Sequence, residues 1–268
     1  SNTQITTDLK GNIYVSKGMS ESYPCIVSHI DQVQKTHSRD FVCIESEDVI
    51  FGYSPKNHRQ EGLGADDKNG IWIALKCLQK YDHMKAAFFV EEEIGCRGSA
   101  QADITFFTDC RFVIQCDRRG NKDLITSISF TELCSEEFIE AVGYENFGYK
   151  PEDGMMTDVL ELKERGVEVS CINMSCGYYK PHTDEEFTDK NDLLNCQKFV
   201  EREIRRGNTY DGIIMDPPSY GRGPTGEVWK IEENIDEFVA LTANLLSDEP
   251  LFFLLNSYTT GLSASTMK

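Results

Sequence analysis

Short apolar runs alternate with amphipathic stretches along this chain, and that rhythm predicts an α/β layered fold. Residues 12–16 (NIYVS) alternate as a strand does. Residues 23–30 (YPCIVSHI) form an apolar run with a polar tip, the pattern of a strand buried on both faces. Residues 41–53 read as a hairpin. Residues 66–81 have helical periodicity, with Ile71, Ala74, Leu75 and Leu78 on one face and Asp66 or Asp67 at the start. Further strands are predicted at 86–91, 111–116, 124–130 and 167–174, and further helices at 135–142, 157–165 and 192–205.

From about Gln197 the chain changes character. Residues 210–215 (YDGIIM) read as a short strand, capped by DPPSYGRGP. An amphipathic helix over 232–246 and a strand over 251–255 follow. The expected organisation is a domain over 1–196 with a central mixed sheet and flanking helices, then a partial Rossmann-like β-α-β fragment over 197–268.

Composition narrows the partners. The apolar fraction of 40% is enough for a packed core. A net charge of −18 argues against a general phosphate-binding surface, so nucleic acid is not an expected partner. No apolar run approaches the ~20 residues of a membrane span, and no secretory leader is visible. Ten cysteines are scattered without zinc-finger spacing, several inside apolar strands, and read as buried reduced thiols of a cytoplasmic protein.

The candidate chemistry lies at the ends of the predicted elements. His29 and Asp31 flank one residue at a strand's end, and side chains two apart on a strand point the same way. Asp31 is therefore expected to accept a hydrogen bond from the His29 ring and fix its tautomer, as carboxylates do behind metal-bound imidazoles. Asp66 follows Gly62-Leu63-Gly64-Ala65 at a helix start, Glu92 and Glu93 close a strand before Gly95, Asp117 closes another, and His182 lies in PHTDEE. Imidazoles and carboxylates are the ligand types of borderline-to-hard divalent cations. Each motif alone also has a plain reading: a solvated pair, a helix cap, an acidic surface run. His37, His58 and His83 lack such context and are expected at the surface.

These motifs, with GADDKNG and GMMTDVLELKERGVEVSCINMSCGYYKPHTDEE, make residues 10–196 resemble the catalytic domain of the co-catalytic zinc exopeptidases. That group includes peptidase T, the bacterial leucyl and glutamyl aminopeptidases and the acetylornithine deacetylases. The resemblance implies two zinc ions, with cobalt or manganese as substitutes, bridged by Asp66. One ion would also take His29 and Asp117, the other Glu93 and His182. Glu92 would be the general base, and the substrate a short peptide. The stretch between Asp117 and His182 is too short for the lid domain of some relatives, and the helices that precede their first strand are not seen, so a shortened domain is expected.

The segment YDGIIMDPPSYGRGPTGEVWKIEENI resembles the later half of a class I S-adenosylmethionine-dependent methyltransferase of the ribosomal-RNA type. In such enzymes a turn like Asp216-Pro217-Pro218-Ser219-Tyr220 grips the target base. The plain reading is a proline-stiffened turn. The glycine-rich cofactor turn of the family is missing, so S-adenosylmethionine is not expected to bind. Two alternatives thus stand beside the peptidase: an RNA methyltransferase, or an inactive fusion of two enzyme fragments.

Overall fold

The structure, a computed structural model, describes residues 2–34, 36–206, 212–223, 228–243, 245–246 and 251–256. The chain divides into two compact units, Ser1–Glu201 and Arg202–Lys268.

The first unit opens on β1 (Thr3–Thr7), β2 (Ile13–Lys17) and β3 (Tyr23–His29). A small meander follows: β4 (Val42–Glu45), β5 (Val49–Ser54) and β6 (Arg59–Glu61). Then come α1 (Ala65–Lys80), β7 (Met84–Phe89), β8 (Cys110–Arg118), β9 (Asp123–Ile128) and β10 (Thr131–Glu132). After α2 (Glu136–Val142) the chain adds β11 (Lys150–Asp153), α3 (Asp158–Glu164), β12 (Cys171–Ser175), β13 (Tyr178–Tyr179), β14 (Phe187–Asp189) and α4 (Lys190–Arg206).

Nine of these strands form one mixed sheet in the order β1-β2-β7-β3-β8-β12-β9-β10, with β11 beside β9. At its centre β7, β3, β8 and β12 run parallel. Parallel strands covered on both faces should be continuously apolar, and every residue of β3 and β7 is buried. The other five strands form a small separate sheet, β13-β14-β5-β4 with β6 beside β5. The mixed sheet and flanking helices agree with the predicted fold class.

Helix α1 sits at its predicted place but on a different face. The buried stripe is Asn69, Gly70, Ile73, Ala74 and Cys77, while Leu75 is 48% exposed. Small side chains let the helix lie close to the sheet, and this outweighs the larger bulk of Leu75 and Leu78. Several short strands escaped the sequence reading because they are polar: β6 is RQE and β11 is KPED.

The second unit contains β15 (Gly212–Met215), β16 (Tyr220–Arg222), β17 (Val228–Lys230), α5 (Ile231–Ala243) and β18 (Phe252–Leu255). β15 and β18 pair in parallel across α5, the predicted strand–helix–strand. Positions 210 and 211 of the predicted strand lie outside the described residues. The β16–β17 hairpin was not foreseen. No described helix is long and apolar enough to cross a membrane. All ten cysteines are free thiols, and all but Cys43 are buried.

Candidate metal centre

Three adjacent parallel strands end at one edge of the sheet, where open α/β sheets bind ligands. β3 ends on His29, β8 carries Asp117 near its end, and the turn after β7 carries Glu92 and Glu93. Asp66 arrives from the first turn of α1, and His182 from the loop between β13 and β14.

The Asp66 carboxylate is the hub. Its Oδ1 is 3.0 Å from His29 Nε2, and its Oδ2 is 3.1 Å from His182 Nε2. Asp117 Oδ1 lies 3.6 Å from His29 Nε2, and Glu93 Oε2 lies 3.1 Å from His182 Nε2. Each oxygen of Asp66 therefore faces one imidazole, and each imidazole has a second carboxylate beside it. The side chains of His29, Asp66, Glu93, Asp117 and His182 thus lie together at one place. Ligand atoms of His29, Asp66 and Glu93, and those of His29, Asp67 and Asp117, also lie within 4.8 Å of one another. Asp67 enters this second group but is already engaged, since its oxygens accept backbone N–H groups of His29 (3.2 Å) and Gly70 (3.0 Å).

Local structure explains the convergence. Gly64 is left-handed (φ 67°), a conformation that favours glycine at this turn. The buried Glu186 carboxylate accepts the backbone N–H of Gly64 at 2.5 Å and of Asp66 at 3.2 Å. Asp66 does not cap α1 as an N-terminal aspartate usually would. Asp67 does that through Gly70, which leaves the Asp66 side chain free to face the imidazoles. His182 itself has φ 63°, a left-handed conformation that histidine adopts more readily than most non-glycine residues.

Asp31 stands behind the His29 ring and has a second set of partners as well. His29 Nδ1 is 3.1 Å from the Asp31 backbone carbonyl and 3.5 Å from its carboxylate. That carboxylate also accepts the backbone N–H groups of Glu92 (3.0 Å) and Glu93 (3.1 Å). It thus fixes the turn that carries the two glutamates. This turn is not strand, because β7 stops at Phe89 and Glu91 is left-handed (φ 57°). The side chains still diverge: Glu92 Oε2 points toward His29 at 3.9 Å and Glu93 toward His182. The Cys96 thiol donates to Glu92 Oε1 at 3.5 Å.

The remaining histidines divide. His58 and His83 are exposed as expected. His37 is half-buried, stacks on Phe41 and reaches the Gly62 carbonyl at 2.7 Å, so it braces the glycine turn. Reading the sequence also missed Glu186 and Tyr178, whose hydroxyl donates to Asp117 Oδ1 at 3.4 Å. Glu186 sat unnoticed beside His182 in the acidic run TDEE.

The electrostatics suit a bound cation. Burial, then the neighbouring carboxylates, pushes Asp67 and Asp117 well above the usual carboxylate range. Burial and Asp66 bring Glu93 up to about 7, and burial raises Glu92. Burial pulls the His29 imidazolium down, but Asp117, Asp31 and Asp66 more than offset this and hold it up. Glu93 Oε1 is buried with no hydrogen-bond partner. Packing carboxylates this closely is costly without positive charge among them, and divalent ions would reverse these shifts. The donor set fits a bound divalent cation.

The sequence matches no family model and no curated protein. Solved structures share the fold. An aminopeptidase PepT from Bacillus cereus matches with a TM-score of 0.55 at 12% identity, over 74% of this chain and 87% of that one. A tripeptidase from Staphylococcus aureus gives 0.55 at 13%, over 74% and 87%. The TET1 peptidase from Pyrococcus horikoshii, described as assembling into a tetrahedron or a large octahedral shell, gives 0.53 at 12%, over 75% and 89%. At these identities the likeness is one of fold. The comparisons lend no support to the methyltransferase resemblance of the tail, where Asp216 and Tyr220 lie exposed.

Proposed function

We propose that the chain is a metal-dependent exopeptidase that hydrolyses short peptides at a two-zinc centre, with Glu92 as general base. The observation that carries this is the Asp66 carboxylate, with one oxygen on His29 and the other on His182. The shared fold of the peptidases above supports it. Asp66, His29 and Asp117 would hold one ion, and Asp66, Glu93 and His182 the other. When bound, such a pair supplies Lewis acidity, making a water more acidic and a peptide carbonyl more electrophilic.

The protein's own groups do the rest. Glu92 takes the proton of the attacking water on a carboxylate oxygen and delivers it to the leaving amine nitrogen. Its raised proton affinity, caused by burial, suits a group that must both take and give a proton near neutral pH. Asp31 holds Glu92 and Glu93 in register through their backbone N–H groups. His182, half exposed, marks the open side from which a peptide enters. Zinc fits the mixed nitrogen and oxygen donors, and cobalt or manganese would substitute.

The test is an assay of the whole chain against a panel of dipeptides and tripeptides with zinc or cobalt added. Release of single residues from one end is expected. A metal-loaded chain that cleaves none of them contradicts the proposal.

A further inference from the structure

Behind the carboxylate cluster lies a second set of buried polar groups that the chemistry above does not use. Ser99, Gln115 and Asp158 are 0% exposed, Thr157 3% and Asn173 4%. Buried polar groups need hydrogen-bond partners, so counting protons fixes their orientation.

Two backbone donors set the directions. Val159 N–H donates to Gln115 Oε1 at 3.2 Å, which makes Nε2 the donating end of that amide. Nε2 reaches Asp117 Oδ2 at 3.1 Å and Asp158 Oδ2 at 3.1 Å. Asp117 N–H donates to Asn173 Oδ1 at 3.0 Å, so Asn173 Nδ2 donates to the Asp117 carbonyl (3.0 Å) and to Thr157 Oγ1 (2.9 Å). Thr157 passes its own proton to Gln115 Oε1 at 2.7 Å. The network is directional and ends on the Asp117 carboxylate.

Ser99 completes the count. Its Oγ lies 3.0 Å from the Cys96 carbonyl and 2.5 Å from Asp158 Oδ1, yet it has one proton. Both bonds form together only when Asp158 carries a proton and gives it to Ser99 Oγ. Among the described residues no lysine or arginine side chain pairs with Asp158. Burial pushes its carboxyl up to about 7, with the Ser99 bond opposing and the Glu92 charge adding.

We propose that Gln115 is a positioning residue for Asp117, anchored by Asp158 in its neutral, donating form, and that Asp158 acts through Ser99 and Cys96 on the segment bearing Glu92 and Glu93. This rests on the metal-centre reading. Gln115 occupies Asp117 Oδ2, which leaves Oδ1 turned toward His29. Hydrogen bonds behind a metal-binding side chain are commonly worth about 10- to 100-fold in affinity.

The test is the zinc affinity of the whole chain, measured ion by ion with a competing chelator, with thermal melting as a control for folding. Gln115→Met keeps the size of the side chain and removes its donor. One of the two ions should weaken by about 10- to 100-fold and the other stay unchanged. Thr157→Val leaves Gln115 in place but removes the hydroxyl that orients it. It should weaken the same ion less, and it serves if Gln115→Met does not fold. Asp158→Ala should weaken both ions, because it frees Gln115 beside Asp117 and the segment that bears Glu93. Asp158→Asn should restore both, because the amide donates to Ser99 and accepts from Gln115 as the neutral acid does.

Unchanged affinity for both ions in folded Gln115→Met overturns the positioning role while leaving the metal centre intact. An Asp158→Asn variant as weak as Asp158→Ala overturns the neutral acid. A wild-type chain that binds no zinc overturns the metal centre and this proposal with it.

Discussion

The two units differ in how they hold the segments that carry their sequence signatures. In the first, the central strands are buried along their whole length and the chemistry-bearing side chains lie at their ends, each held by several partners. Asp31 accepts two backbone donors, Glu186 accepts the glycine turn, and Gln115 is fixed from both ends of its amide. In the second, Ile214 is 68% exposed, Phe252 50% and Leu254 54%, and the turn that carries its sequence signature sits at the surface. A motif becomes a site when its surroundings over-determine its geometry and exclude water. GADDKNG has such surroundings, and DPPSY does not.

The largest effect that would sharpen this contrast is at the base. Glu92→Gln keeps the shape of the side chain but has no basic oxygen at neutral pH. Turnover should fall by roughly 100- to 10,000-fold while zinc content stays near the wild-type level. Equal loss of zinc would make Glu92 a ligand and break the assignment of Glu93. Next is packing. Phe89 is fully buried under the site, so Phe89→Ala should destabilise the chain by about 3–5 kcal/mol in denaturant melts. Leu254→Ala in the second unit should cost no more than about 0.5 kcal/mol, in keeping with its exposure. Similar costs at the two positions would show that the second unit has a core of its own. The smallest effect expected is none: calorimetric titration with S-adenosylmethionine should give no heat of binding. Saturable binding would restore the methyltransferase alternative and erase the contrast.

Much of this was legible in the residues, for physical reasons. Apolar runs such as YPCIVSHI can be satisfied only between two covering layers, so the central strands and their order of appearance were readable. His29, Glu93 and Asp117 stood out as charge closing apolar runs and Asp66 as charge opening a helix, whereas His182, in a loop, was suggested only by the resemblance. What escaped depends on tertiary partners. β6 and β11 have polar sequences and exist because a neighbouring strand supplies their hydrogen bonds. The buried face of α1 follows small residues rather than large ones. Gln115 is a single polar residue in an apolar strand and Asp158 sits at a helix start 43 residues later, and nothing local says that they meet. The contacts of Asp31 with the backbone of Glu92 and Glu93 were not legible, since that turn follows another strand.

The most direct measurement is the zinc stoichiometry and affinity of the intact chain beside those of Asp66→Ala. Two ions per wild-type chain are expected, and binding of both should collapse together in the variant because they share that carboxylate. Loss of one ion with the other unchanged, or a wild-type chain that takes up no zinc, would contradict the bridged centre.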